Sequence, residues 1–131
     1  MTGVIVVTHG YSGAEMVRAA EQKVGHPLSG VATIGVGGDE PVAEVKVRLE
    51  QAVKALSVDD VVFLVDLGGS TPFNLCCGNS RGQSAVVSGV NMPMLFKLST
   101  ADRSHGARQL AEELAASGKK SISVKSGEDV L

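Results

Sequence analysis

The sequence predicts an α/β protein with a doubly wound, mostly parallel five-stranded sheet, strand 1 lying between strands 2 and 3. Three observations lead there. Five strand-like runs alternate with segments of helical periodicity, the order expected of βαβ units. Four of the runs are apolar or small nearly throughout, as strands covered by helices on both faces are. The fifth, Ser121 to Lys125 (SISVK), alternates apolar and polar residues and so reads as a one-sided or antiparallel edge strand rather than a central one. At 131 residues the chain is expected to be a single domain, 1–131.

The elements follow in order. Gly3 to Val7 (GVIVV) is the first buried strand, ending at Thr8-His9-Gly10. Ser12 or Gly13 caps a helix with Ala14, Val17, Ala20 and Val24 inward, stopped by Gly25-His26-Pro27. Gly30 to Val36 is the second strand. A turn at Gly37-Gly38 leads to a helix capped by Asp39, with Val42, Val45, Leu49, Val53 and Leu56 along one side. Val61 to Val65 (VVFLV) is the third strand, and Phe73 to about Arg81 a short helix after it. Ser84 to Val90 is the fourth strand, and Asn91-Met92-Pro93 turns into a helix from Pro93. Arg103 to Ser117 is amphipathic, with Ala107, Leu110, Ala111, Leu114 and Ala115 inward and Gly118 as its C-cap.

Composition excludes several classes. Apolar residues make up 44% of the chain, so disorder is not expected, and 3% aromatic content means an aliphatic core. The net charge is −2 with both signs interspersed, which suggests neither nucleic acid nor a membrane surface as partner. The first apolar run, Val4 to Val7, is too short for a signal peptide or membrane span, and a cytoplasmic protein is expected. Cys76 and Cys77 are adjacent, without the spacing of a zinc site or a redox pair, and read as packing residues. Neither a metal nor a cofactor is expected.

The chemistry concentrates where the first and third strands end. A buried strand does not end in a carboxylate without reason, yet Asp66 follows Val65. Gly68-Gly69-Ser70-Thr71 then makes a flexible turn, with Thr71 capping a helix whose first residue is Pro72. Exposed N–H groups and a helix N-terminus form an anion seat. In a parallel sheet wound in this order, the loops after strands 1 and 3 flank the ligand crevice, which brings His9 opposite Asp66. A carboxylate accepting the Nδ1–H of His9 leaves the Nε2 lone pair outward as a nucleophile for phosphorus. The N–H groups of Gly69, Ser70 and Thr71, with the hydroxyls of the last two, would then hold the phosphoryl group. A plainer alternative stands beside this for each residue: a hydrogen-bonded loop histidine, a turn-capping aspartate, a tight glycine turn and a helix cap. His26 and His105 read as exposed surface residues.

Taken together, THG after the first strand, LVD…GGSTPFN after the third and GVNMPML after the fourth resemble the enzyme IIA component of the mannose-family phosphoenolpyruvate:sugar phosphotransferase system. The likeness runs over essentially the whole chain. It implies a phosphocarrier: phosphocarrier protein HPr donates to the histidine matching His9, and the group passes to an enzyme IIB. The membrane components are met only indirectly, and the sugar not at all. It also implies that Asp66 orients the imidazole, that Thr71 contacts the phosphoryl group, and that two copies form a homodimer by exchanging the C-terminal strand, here Ser121 to Lys125. No IIB domain follows, so the acceptor is expected in trans. One departure stands out. The Gly pair sits one place early, and Ser70 occupies the usual position of the second glycine, where a left-handed backbone would suit it poorly.

Other readings compete. A receiver domain needs an acidic pair after strand 1, where this chain has Thr8-His9, and a nucleotide-hydrolysing module needs GxxxxGK[ST], which is missing after Gly68. The phosphocarrier subunit of a dihydroxyacetone kinase would use the same histidine, but GGSTPFN and GVNMPML favour the mannose type. A regulatory IIA-like phosphoprotein remains the main alternative, since the same histidine chemistry serves both roles.

Overall fold

The computed structural model describes residues 1–79 and 84–130. Among these the elements run β1 (Gly3–His9), α1 (Ser12–Val24), β2 (Val31–Val36), α2 (Val42–Leu56), β3 (Val61–Val65), α3 (Thr71–Asn79), β4 (Ala85–Ser88), α4 (Met92–Leu98) and α5 (Ala107–Lys120), with a short 3₁₀ turn at Gly127–Asp129. The expected end of the third helix near Arg81 lies outside the described residues.

The sheet is parallel, with strand order β2-β1-β3-β4, so strand 1 does lie between strands 2 and 3. Successive residues of the central strands point to opposite faces, and each face finds its own helices. Val4, Val6, Val62 and Leu64 pack with Val17 and Ala20 of α1, Met94, Leu95 and Leu98 of α4, and Leu110 and Leu114 of α5. Ile5, Val7, Phe63 and Val65 pack with Val45 and Leu49 of α2 and Cys76 of α3. That two-sided burial is why the central runs carry no polar alternation.

The sequence GVNMPML is explained by Asn91. Its side-chain oxygen accepts the Met94 N–H at 3.4 Å and caps α4, while its amide donates to Gly118 O on α5 at 3.4 Å. Meanwhile the Val90 N–H bonds to Val65 O at 3.0 Å, carrying the β3–β4 pairing to the end of the sheet.

Several expectations need correcting. The sheet has four strands among the described residues, not five: 121–125 has no regular structure, and Ile122 and Val124 are 75% and 88% exposed. A one-sided strand forms only against an edge that receives it, and in the single chain this segment lies on none. Gly118 is not a C-cap. It is buried inside α5, with Met94 packed where its side chain would be, and the helix continues through Lys119 and Lys120, cations that suit its C-terminus. The same helix starts at Ala107 rather than Arg103. Arg103 instead donates to the carbonyls of Thr2, Ser29 and Gly30, and Asp102 closes a turn with Ser104. Asp60 caps the helix from a distance in sequence: its Oδ2 accepts the Ala107 N–H at 2.7 Å.

At α2 the N-cap is Pro41 and not Asp39, and the Glu40 carboxylate beside it accepts from Arg48 and from the Gly37 N–H. Val42, expected inward, is 53% exposed on the first turn of that helix. In α1 the inward position of the first turn is taken by Gly13, leaving Ala14 exposed. Its N-cap is Tyr11, ahead of both Ser12 and Gly13, the two caps expected.

Candidate functional site

The site is built where β1 and β3 end side by side. Val7 pairs with Val65 in parallel register, so His9 and Asp66 emerge from neighbouring strands at the same edge. Thr8 explains how the chain leaves the sheet there. It is fully buried, and its Oγ1 accepts the Gly13 N–H at 2.8 Å, pulling the start of α1 back over the strand end. The Gly10 N–H bonds to Val36 O at 2.8 Å, and the Ser12 hydroxyl donates to His9 O at 3.1 Å. The backbone of His9 is therefore fixed on both sides.

Asp66 fixes the ring. Its Oδ2 accepts the backbone N–H of His9 at 3.0 Å and lies 2.9 Å from Nδ1. An ionised carboxylate can only accept, so Nδ1 carries the proton, and in the neutral imidazole Nε2 is the nitrogen with the lone pair. The His9 side chain is 54% exposed and that of Asp66 is 26% exposed. Burial works to raise the Asp66 carboxyl, but the His9 N–H, the imidazole and Asp66's own backbone N–H outweigh it and hold it below its ordinary value. The second oxygen, Oδ1, is buried without a hydrogen-bond partner among the described residues.

The turn after Asp66 departs from expectation at Ser70. Gly69 takes the left-handed position, with φ of +78°, so Ser70 does not have to. The Ser70 hydroxyl donates to Leu67 O at 2.6 Å and accepts the Phe73 N–H at 3.3 Å. It is the N-cap of α3, the role expected of Thr71. Its only proton is spent on the turn. Thr71 is the first residue of α3 and is exposed, followed by Pro72, which has no N–H to satisfy. Gly69, Ser70 and Thr71 thus lie on the segment directly after Asp66, with the Ser70 hydroxyl turned inward.

The remaining candidates behave as packing or surface groups. Cys76 is buried, and burial, helped by neighbouring Cys77, pushes its thiol up to about 12, which makes it inert at neutral pH. His26 bonds to Pro27 O, and His105 sits 2.9 Å from Asp102 in an exposed pair at the far side of the fold. Among the described residues no group of three or more His, Cys, Asp or Glu could hold a metal, and no helix is long and apolar enough to cross a membrane. Thr8, Gly35 and Asp60 were not flagged by the sequence. Thr8 left a trace, a polar residue ahead of His9 in an otherwise apolar run, whereas Gly35 and Asp60 depend on contacts that no spacing reveals.

Known proteins resemble this chain in family pattern and in fold. A family model described as the PTS system fructose IIA component (EIIA-man) matches residues 3–116. The mannose/sorbose specific IIA subunit of the phosphotransferase system from Enterococcus faecalis superposes with a TM-score of 0.84 at 20% identity, over 99% of this chain and 98% of that one. The phosphotransferase system component EIIA from Streptococcus agalactiae gives 0.82 at 24% identity, over 95% and 97%. The PTS IIA protein associated with the fucose utilization operon from Streptococcus pneumoniae gives 0.76 at 25% identity, over 94% and 92%. No curated protein matches the sequence. A family model spanning most of the chain, on a fold shared with IIA structures, settles the affiliation: the chain belongs to the EIIA-man family of fructose- and mannose-type IIA components of the sugar phosphotransferase system.

Proposed function

We propose that this protein is a phosphocarrier that takes a phosphoryl group from phospho-HPr on His9 and passes it to an enzyme IIB during sugar uptake. The observation that carries the reading is the bond between His9 Nδ1 and Asp66 Oδ2 at 2.9 Å, with the imidazole half exposed. In the transfer, the Nε2 lone pair attacks phosphorus. The donor's bond to phosphorus breaks as the new N–P bond forms, and its electron pair leaves with the donor. No proton needs to move, because Nδ1–H stays with Asp66, and the positive charge that develops on the ring faces the Asp66 carboxylate. The second transfer runs the same way in reverse, with IIB as acceptor.

The phosphoryl group would rest against the N–H groups of Gly69 and Thr71 and the N-terminus of α3, with the exposed Thr71 hydroxyl as the side-chain donor, while the Ser70 N–H donates to Leu67 O at 3.4 Å within the turn. Phosphoryl transfer depends chiefly on positioning and charge stabilisation, which these groups offer. Residues 1–131 would work as one domain in the cytoplasm, with an enzyme IIB as the acceptor. A homodimer through exchange of 121–125 would give Ile122 and Val124, exposed in the single chain, an apolar partner surface.

The test is incubation with phosphoenolpyruvate, enzyme I and HPr. Wild type should take up label only when HPr is present, and the label should be acid-labile and base-stable, as a phosphoramidate is. An acid-stable label would indicate an ester on Ser70 or Thr71 and overturn the reading. A phosphoramidate that no IIB accepts would favour the regulatory alternative.

A further inference from the structure

We infer that Gly35 is a positioning residue for His9, and that Arg48 is its buttress. The inference rests on the proposed role of His9 and names the part of the fold that sets the imidazole's height above the sheet.

Gly35 lies in β2 between Ile34 and Val36, a place where a β-branched side chain would ordinarily be favoured. It pairs with Thr8, the residue before His9. A Cβ on Gly35 would collide with the carbonyl oxygen of Gly10 and lie 3.1 Å from its carbonyl carbon and 3.8 Å from Tyr11 N. All three are backbone atoms of the turn that leaves His9, so no side chain can swing away to make room. A glycine inside a strand often marks such a close backbone approach. Here the turn after His9 descends into the space that a side chain would fill, and the Gly10 N–H bond to Val36 O holds it there.

The other side of Gly35 is held as well. Arg48, on α2, donates from Nη1 to Gly35 O at 3.0 Å and pairs with Glu40 Oε2 at 2.7 Å. Glu40 in turn accepts the Gly37 N–H at 3.2 Å. The end of β2 is thereby pinned between an α2 side chain and the turn that carries the imidazole. His9 meets Asp66 on one flank of β1, and the turn that follows it rests on Gly35 on the other. Adding a methyl group at Gly35 should lift Gly10 and stretch the bond between His9 Nδ1 and Asp66.

The experiment is Gly35→Ala, read by ¹⁵N NMR of the His9 imidazole and by the initial rate of phosphorylation from phospho-HPr. Gly38→Ala is the control, since a Cβ there meets nothing within 4 Å. Wild type and Gly38→Ala should show Nδ1 protonated and Nε2 unprotonated. Gly35→Ala should lose that single-tautomer signature, and its rate should fall roughly 10- to 100-fold, the scale of a misplacement near 1 Å. A folded Gly35→Ala with wild-type nitrogen shifts and rate would overturn the inference. Should that variant not fold, Arg48→Met decides, because it keeps the aliphatic stem and removes the guanidinium, and with it the bonds to Gly35 O and Glu40. It should shift the same signals in the same direction by less, and unchanged signals would overturn the proposal. If wild type takes no label and Gly35→Ala still shifts the nitrogen signals, the positioning role stands and the phosphocarrier reading is refuted instead.

Discussion

His9 and Asp66 are joined twice by one oxygen: Oδ2 of Asp66 takes both the backbone N–H of His9, at 3.0 Å, and a bond with its ring nitrogen Nδ1, at 2.9 Å. The first bond locks the end of β1 to the end of β3. The second locks the tautomer. Replacing the carboxylate therefore separates two effects, because an amide can still accept the backbone N–H but is a poorer partner for a developing imidazolium.

Asp66→Asn should retain the fold and slow phosphoryl transfer on the order of 10- to 100-fold, checked by initial rates of labelling. The same variant carries a pH signature. The folded Asp66 carboxyl titrates below its ordinary 3.8, so its contribution to stability is complete above that value and vanishes as the pH falls through the lower folded one. Wild type should thus lose more stability than Asp66→Asn between pH 7 and pH 3 in urea titrations. Equal losses would remove Asp66 from the acid limb.

Ser70 and Thr71 should part company. The Ser70 hydroxyl is spent on Leu67 O and the Phe73 N–H, so Ser70→Ala should cost about 1 kcal/mol of stability through the lost cap of α3. Thr71→Val keeps the shape of an exposed side chain and removes its hydroxyl. It should leave the urea midpoint unchanged and lower the transfer rate more than Ser70→Ala does.

At the opposite end of β3, Asp60 accepts from Ala107 N at 2.7 Å and from the Thr2 hydroxyl at 3.2 Å. Asp60→Ala leaves the first N–H of α5 without its acceptor and should destabilise the protein by about 1–3 kcal/mol. Because five residues of strand separate it from Asp66, the labelling rate at a temperature where the variant is folded should match wild type.

The exposed segment 121–125 supplies a test of assembly. If it is exchanged between copies, wild type should sediment as a dimer and a variant ending at Lys120 as a monomer with greater apolar exposure. A wild-type monomer at micromolar concentration would leave Ile122 and Val124 without the proposed role.

Much of this was legible in the sequence because the relevant physics is local. Val4 to Val7 and Val61 to Val65 announce strands covered on both faces, and Asp66 stands out against them as a carboxylate where none is needed for packing. The pairing of His9 with Asp66 followed once strand 1 was set between strands 2 and 3. The errors share another origin. Ser70 and Thr71 are both good caps, and only the donor geometry at Phe73 picks the first. Gly118 looks like a helix stop until Met94 is seen packed against it. Asp60 capping Ala107, and Gly10 filling the space above Gly35, join segments far apart in sequence, which periodicity cannot register.

The most direct test of the central claim is to locate the phosphoryl group itself on ¹⁵N-labelled protein after incubation with phosphoenolpyruvate, enzyme I and HPr. Phosphorus–nitrogen coupling should place it on Nε2 of His9, since Nδ1 is held by Asp66, and His9→Ala should take no label while melting within a few degrees of wild type, about the effect of an exposed substitution. A phosphoryl group on Nδ1, or on any other residue with His9→Ala labelled as fully as wild type, would contradict it.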